Sequence, residues 1–390
     1  MTTADVVIIG GGVVGASIAH HLAHAGCTDV LIVERGSQQG LGSTGKATGG
    51  VRAQFGSAIN VRMSRYSIEM YSRFADETGH ACGYDPVGYL FLATNDDHIA
   101  ALQAMRDRSL ADGTNDVMLL STADVATLLP QLRTSDIVGG SFRQADGLIA
   151  PLEVMRGFTD AALRRGVQIM YDASVTGFEL AGGRISTVQT TRGTIATRVV
   201  VNAAGAWAAE VARLASVELP VTPLRRQLVA TQPFAHLPDR MPMVIDMATG
   251  FHFRRVTHSG SAPSVLMGWP DPAEPESFVT EVDASFADGL MQRAVHRVPC
   301  LREATVDVPR CRAGLYEMTP DHHAILGESV AVPGLFLANG FSGHGVMHAP
   351  ATGRITSDLI LHGRTELLDV GLLALERFEH GRALAENALL

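Results

Sequence analysis

The chain has 390 residues, of which 46% are hydrophobic and 18% are charged, and its formal net charge is −9. This length and apolar content predict a folded protein of about two domains rather than a disordered chain. The negative charge, together with the absence of any run of Lys and Arg, argues against nucleic acid as a partner.

The cysteines and the apolar stretches suggest where the protein works. Cys27, Cys82, Cys300 and Cys311 follow no C-x-x-C spacing, which is typical of a reducing compartment and gives no zinc site. The first residues carry no cationic segment, and no apolar stretch is long enough to span a bilayer. We therefore expect a cytoplasmic protein that does not span a membrane.

The N-terminus carries a dinucleotide-binding pattern. An apolar strand leads into Gly10-x-Gly12-x-x-Gly15, a helix-forming stretch follows, and a second apolar strand ends at Glu34. The glycines permit a tight turn, a close approach of the backbone to a pyrophosphate, and close packing of the helix on the strand. Glu34 is then positioned to accept hydrogen bonds from a ribose. The pattern predicts dinucleotide binding.

The segments that follow alternate between helix and strand. A polar, glycine-rich loop at 36–50 is long enough to indicate a functional role. Apolar spacing predicts a helix over 57–78, a strand over 88–94 and a helix over 96–110.

The second half begins with a helix opened by Pro151 and predicted to run to residue 165. A meander of four strands follows, at 167–170, 175–180, 185–190 and 198–201. The last of these strands ends in the small residues of the 202–207 turn, where backbone can approach a cofactor. Alternation over 221–310 predicts an antiparallel sheet, and Pro350 predicts the start of a helix that runs to about residue 361.

Five ordered motifs together resemble one superfamily. They are the N-terminal fingerprint with Glu34, the 42–52 loop, the 202–207 turn, the segment 314–323 (GLYEMTPDHH), and the segment 340–345 (GFSGHG). The chain resembles the D-amino-acid-oxidase-like superfamily of FAD enzymes. It is most similar to the branch of glycine oxidase, sarcosine oxidase and dehydrogenase, dimethylglycine dehydrogenase and the flavin subunit of heteromeric proline dehydrogenases.

The resemblance implies an α/β fold with two domains. A Rossmann-like FAD-binding domain, discontinuous in sequence, would comprise residues 1–85, 146–215 and 311–385. A substrate domain, an antiparallel sheet with helices, would comprise residues 86–145 and 216–310.

The residues implied to hold the FAD come from the glycine turns and loops of those motifs. They are Gly10, Gly12, Val13, Val14, Gly15, Glu34, Arg35, Ser43, Thr44, Lys46, Thr48, Gly49, Gly50, Val51, Val175, Ala204, Gly205, Trp207, Gly314, Gly340, Ser342, Gly343, His344, Gly345, Val346 and Met347. The start of the expected Pro350 helix would offer N–H groups to the negative charge of a reduced flavin.

Five residues are implied to face the substrate. Arg52 matches an arginine beside the flavin and suits a carboxylate; the alternative is a surface ion pair. Tyr316 either binds the carboxylate or packs in the core. His252 and Arg254 share one face of a strand, so both or neither would face the flavin. Met347 stands where sarcosine oxidases place a lysine near the flavin.

Two further features concern metal and covalent flavin. His344 and His348 have the i, i+4 spacing of a metal pair, but no third ligand is evident, so we expect no metal site. Monomeric sarcosine oxidases link their flavin through Cys-Met-Tyr, where this chain has Gly314-Leu315-Tyr316. We therefore expect non-covalent FAD.

The expected reaction is oxidation of the C–N bond of a small secondary amino acid, such as a sarcosine- or proline-like compound. Hydride would pass to flavin N5, and the resulting imine would hydrolyse. Because position 347 carries methionine where sarcosine oxidases carry a lysine, no positive charge there would assist the reaction with oxygen, which favours a dehydrogenase. The implied electron acceptor is then a partner subunit or a quinone. The alternatives are a D-amino acid or glycine oxidase, a flavin hydroxylase that uses NAD(P)H, and an electron-relay subunit of a heteromeric dehydrogenase.

Overall fold

The computed structural model describes residues 2–257 and 262–384. In chain order its strands are β1 Thr2–Thr3, β2 Val6–Ile9, β3 Val30–Val33, β4 Gly50–Val51, β5 Tyr89–Ala93, β6 Val117–Leu120, β7 Gly139–Arg143, β8 Gly147–Leu148, β9 Gln168–Met170, β10 Val175–Ala181, β11 Arg184–Thr190, β12 Gly193–Ala196, β13 Val199–Asn202, β14 Thr222–Ala230, β15 Met243–Asp246, β16 His252–Val256, β17 Ser264–Gly268, β18 Arg312–Met318, β19 Ile325–Glu328 and β20 Leu335–Asn339.

The α-helices are α1 Val13–His24, α2 Ser43–Lys46, α3 Ala58–Ser72, α4 Phe74–Thr78, α5 Asp96–Ala111, α6 Thr122–Leu128, α7 Pro151–Leu163, α8 Ala208–Arg213, α9 Ala284–Arg297 and α10 Gly345–His362. Short 3₁₀ turns occur at Gly205–Trp207, Pro299–Glu303, Val308–Arg310, Val370–Leu373 and Leu375–Arg377.

A six-stranded sheet forms the core of the first unit, in the order β19-β20-β13-β2-β3-β9. All its pairs are parallel except β19 with β20. β2 and β3 are wholly apolar and wholly buried, because both faces of this sheet are covered. Helix α1 packs against one face, between α7 and α10. The meander β10–β12 packs against the other. The Rossmann-like expectation is confirmed.

An eight-stranded sheet forms the second unit, in the order β18-β14-β17-β16-β15-β5-β7-β6. Its pairs are antiparallel except β15 with β5, which are parallel. Helices α6 and α9 cover one face with an apolar core. Strand β18 belongs to this sheet although it falls within the segment 311–385 that we assigned to the FAD domain. The domain boundaries themselves stay a prediction.

Two helix predictions were wrong in detail. The helix expected over 57–78 is two helices, α3 and α4, that meet at Arg73. The helix expected to begin at Pro350 begins at Gly345, so that Pro350 lies inside it. Proline has no N–H to donate to the carbonyl four residues earlier, which belongs to Val346. That carbonyl instead accepts a hydrogen bond of 2.5 Å from the buried Tyr71 hydroxyl.

The other predicted segments agree in position to within a few residues. The expected four-strand meander is wrong, because β9 and β13 pair in parallel within the six-stranded sheet, and the meander consists of β10, β11 and the unforeseen β12. The helix α9, inside the segment predicted as sheet over 221–310, was not foreseen. Within the described residues, no helix combines the length and apolarity needed to cross a membrane.

Candidate functional site

One cavity of about 980 Å³ runs along the carboxyl edge of the six-stranded sheet to β18 and the start of α10. Its walls include most of the residues predicted to hold the cofactor: Gly10, Gly12, Val13, Val14, Glu34, Arg35, Ser43, Thr44, Lys46, Thr48, Gly50, Val175, Ala204, Gly205, Trp207, Gly314, Gly343, Gly345, Val346 and Met347. Residues from distant parts of the chain therefore meet in one long site.

The turn before α1 is built to receive an anion. Gly10 has a φ of +106°, and a Cβ there would overlap the carbonyl of Ala203. Helix α1 begins after Gly12 without a side-chain cap on that residue and without an acidic residue in its first turn. Its first N–H groups and its positive dipole end therefore face the cavity, which fits a pyrophosphate. Of these N–H groups, that of Val13 reaches Thr44 Oγ1 at 3.1 Å.

Glu34 lies at the end of β3, where it organises the loop backbone. Its Oε2 accepts the N–H of Gly11 and its Oε1 accepts that of Gly36, each at 2.8 Å. Beside it the Arg35 guanidinium stacks on the Trp207 ring, with 3.4 Å from Cζ to the ring centroid. This end of the cavity thus offers an acid for a ribose and a flat cationic–aromatic stack.

The loop around α2 is held against β18 by hydrogen bonds. The Ser43 hydroxyl donates to the carbonyl of Leu315 at 2.6 Å. Arg312 donates to the carbonyls of Lys46 and Ala47, each at 3.1 Å. These contacts fix one long wall of the cavity between the two sheets.

The other end of the cavity is the start of α10. No side chain caps this helix, which begins after His344 with no acidic residue in its first turn. Gly343, with φ +96°, packs against the Tyr316 ring, where a Cβ would overlap it. Glu317 Oε2 accepts the N–H of Gly340 at 2.9 Å, and burial raises the pKa of this carboxyl to about 7. A second helix N-terminus therefore faces the cavity, at the same carboxyl edge of the sheet as that of α1.

A smaller recess opens beside this end of the cavity. It brings together four of the residues predicted to face the substrate, Arg52, His252, Tyr316 and Met347. Tyr316 and Met347 line both spaces, so the recess joins the cofactor cavity there. Arg52 is buried, and its Cζ lies 4.5 Å from the centroid of the Phe55 ring. The surface ion pair considered for Arg52 is therefore excluded by its burial.

The two histidines of the recess are neutral. Burial, together with the smaller effects of Arg52 and Arg226, lowers the pKa of His252 to about 4, although its hydrogen bond with Gly250 acts in the opposite direction. His252 Nδ1 lies 3.0 Å from the carbonyl of Gly250, so in the neutral ring Nδ1 carries the proton and Nε2 is an acceptor. Burial, with Arg52 nearby, also lowers the pKa of His344 well below its ordinary value.

Six predicted residues lie outside the walls of both spaces. They are Gly15, Gly49, Val51, Gly340, Ser342 and Arg254. Gly15 allows α1 to pack on the Gly10 carbonyl, and Val51 is buried in the core. Arg254 lies two residues after His252 on β16, with Arg312 as a neighbouring charge. Its burial and that neighbouring charge lower its pKa to about 10.

The sequence did not reveal several wall residues of the recess. Arg226, Tyr89 and Trp269 all line it, on strand β14, on β5 and just after β17. The alternation of β14 placed Arg226 on one of two faces, but nothing in the sequence identified which face meets the cofactor. In the described part of the chain, no group of three or more His, Cys, Asp or Glu could hold a metal ion.

Fold and site together define a two-domain oxidoreductase architecture, with a dinucleotide cavity beside a cationic recess. The family model described as "FAD dependent oxidoreductase" matches residues 5–359. The chain belongs to this family, which confirms the resemblance based on the five motifs. The cavity, lined by the N-termini of both α1 and α10, fits FAD.

Known proteins with the same fold include several amino-acid enzymes. The dimethylglycine dehydrogenase of Rattus norvegicus is 30% identical over 375 residues, which cover 92% of this chain and 43% of that protein. The sarcosine dehydrogenase of Mus musculus is 30% identical, with 97% and 42% covered. The chain thus spans less than half the length of these curated relatives. The crystal structure of an L-proline dehydrogenase from P. horikoshii has a TM-score of 0.91 and 29% identity, covering 98% of this chain and all of that one.

Proposed function

We propose that the protein is an FAD-dependent dehydrogenase that oxidises the C–N bond of a small secondary amino acid. The observation that carries this proposal is the recess itself. A buried arginine, a neutral histidine and a tyrosine surround a small space that opens onto the cofactor cavity at Tyr316 and Met347. The relatives described above, which are dimethylglycine, sarcosine and L-proline dehydrogenases, support the same substrate class.

The recess side chains would bind and orient the amino acid. Arg52 would hold the carboxylate by a bidentate pair, with the Tyr316 hydroxyl as a further donor. The Nε2 atom of neutral His252 would accept a hydrogen bond from the amine N–H and so align the nitrogen lone pair with the C–H bond that loses hydride. Apolar walls at Met243 and Ile245 would exclude water.

FAD would supply the hydride acceptor. The substrate would leave as an imine, which water hydrolyses outside the recess. The chain's part is to hold the pyrophosphate at the start of α1, a ribose at Glu34 and the flavin at the start of α10. We propose that the FAD is non-covalent, since Gly314 and Leu315 replace the linking motif and Cys311 lies outside the walls of both spaces.

We propose a dehydrogenase rather than an oxidase. Met347, on the first turn of α10, lines both spaces, and it brings no positive charge to the place where superoxide would have to form. An electron-accepting partner subunit or a quinone, and a cytoplasmic location, belong to the same proposal. Fractionation of cells that express the full-length protein tests the location.

Steady-state turnover tests the substrate class and the acceptor. Sarcosine, proline, glycine and D-alanine are compared, first with a dye acceptor and then with oxygen alone. We expect turnover of a secondary amine with the dye, and much slower turnover with oxygen. Faster turnover of glycine or D-alanine, with hydrogen peroxide released, would favour the oxidase alternative instead.

A further inference from the structure

The recess contains a second guanidinium, that of Arg226. Arg226 lies on β14 opposite Gly314 of β18, and it lines both the recess and the cofactor cavity. Its Cζ is 5.7 Å from the centroid of the Tyr316 ring. Both Arg226 and Arg52 act electrostatically on His252 and on Tyr316. The guanidiniums of Arg52 and Arg226 therefore line the same recess.

The structure does not pair the Arg226 charge with an acid. Its hydrogen bond is a long one of 3.3 Å to the carbonyl of Arg225. The neighbouring carboxylate of Glu274 is bound instead by Arg225 at 2.8 Å and by Gln227 at 3.3 Å. Within the described residues, Arg226 forms no ion pair. Arg226 is half-buried, and the carboxylates of Glu274 and Asp271 act on its charge without forming an ion pair with it. A ligand carboxylate in the recess would therefore be its direct partner.

The charges in the recess wall do not balance. Its residues include Arg52 and Arg226 but no aspartate or glutamate. His252 and His344 are neutral, because burial lowers the pKa of both. An amino acid with one carboxylate and a neutral amine would bring one negative charge to two guanidiniums.

We infer that the preferred substrate is a dicarboxylic secondary amine, with its second carboxylate bound by Arg226. This inference rests on the proposed function, because it assigns the substrate of the same site. Arg52 then holds the carboxylate next to the carbon that loses hydride, and Arg226 holds the carboxylate on the other side of the amine. A compound of the iminodiacetate type has this arrangement.

Binding of two non-amine analogues to the FAD-loaded protein tests the inference without turnover. Thiodiacetate has two carboxylates, and (methylthio)acetate has one. Calorimetric titration gives the dissociation constant of each. We expect thiodiacetate to bind at least roughly tenfold more tightly, as one additional charged hydrogen-bonded contact predicts.

Variants of Arg226 assign that preference to one residue. Arg226→Met should abolish the preference by weakening thiodiacetate much more than (methylthio)acetate. Arg226→Lys, which keeps the charge but not the bidentate geometry, should retain part of it. Arg240→Met is the matched control, since it removes one exposed arginine from another part of the protein, and it should keep the full preference.

Several results would overturn the inference. The inference fails if the wild type binds both analogues with equal affinity, or if it binds neither. It also fails if Arg226→Met weakens the binding of both analogues equally, which would assign Arg226 to the cofactor or to the first carboxylate. Reduction of the flavin by sarcosine without any dicarboxylate preference refutes the inference and leaves the proposed function standing. If the protein prefers thiodiacetate through Arg226 but no secondary amine reduces the flavin, the proposed function is refuted. A binding site for dicarboxylates at Arg226 then still stands.

Discussion

Glu317 gives a prediction whose magnitude follows from its surroundings. Its carboxyl accepts the N–H of Gly340 beside the start of α10, and its remaining exposed surface faces the cofactor cavity. Burial raises its pKa from 4.5 to about 7. Between these pH values the folded protein keeps a proton that the unfolded chain has lost. The free energy of unfolding therefore falls as the pH rises through this window, and it levels off above about pH 7.

One pKa unit corresponds to about 1.36 kcal/mol, so the whole loss is about 3 kcal/mol. Glu317→Gln removes the titrating group and keeps an amide oxygen to accept the Gly340 N–H. Relative to wild type, this variant should therefore gain about 3 kcal/mol of stability between pH 4.5 and pH 8.

The assay is urea unfolding of the FAD-saturated protein across that pH range, followed by flavin fluorescence and by far-ultraviolet circular dichroism. Glu328→Gln is the matched control. Glu328 also accepts a backbone N–H, from Gly334 at 2.7 Å, but its side chain is 41% exposed. Parallel pH profiles for wild type and Glu317→Gln would refute the reasoning.

Three further predictions concern the recess and helix α10. Arg52→Ala should weaken substrate binding while FAD remains bound, whereas the control Arg62→Ala, at an exposed arginine, should leave substrate binding unchanged. If Arg52→Ala has the same apparent affinity for substrate as wild type, the carboxylate role of Arg52 is contradicted. Met347→Lys should speed reoxidation of the reduced flavin by oxygen, whereas Met347→Leu should not; stopped-flow mixing with oxygen measures both, and equal rates contradict the charge argument. Tyr71→Phe leaves the Val346 carbonyl without its donor and should cost about 1–3 kcal/mol; unchanged denaturant stability counts against that hydrogen bond.

Short sequence patterns predicted the parts of the fold that depend on interactions between residues close together in the chain. The glycines of the first turn and the acid at Glu34 are close in sequence, and each has a steric or hydrogen-bonding reason that can be stated from the residue type alone. The apolar runs that predicted β2 and β3 are typical of strands that are buried on both faces of a parallel sheet. The family resemblance extended this to the loop at α2 and to the turn before α10.

The recess could not be predicted in the same way. Arg52, Arg226 and Tyr316 come from three distant segments, and their meeting depends on the register of β14 with β18. The start of α10 was missed because proline is usually found in the first turn of a helix. Here the lost hydrogen bond is offset by Tyr71, which lies 275 positions from Val346 in the chain. No local pattern contains such a contact.

The central claim is that this recess delivers hydride from an amine to the flavin, and anaerobic single-turnover reduction tests it most directly. The FAD-loaded protein is mixed with sarcosine, proline or iminodiacetate, and the flavin absorbance is followed. The account predicts bleaching by a secondary amine, and slower bleaching when the carbon-bound hydrogens next to nitrogen are replaced by deuterium. A flavin that only NAD(P)H bleaches, or that no amine bleaches, would contradict it.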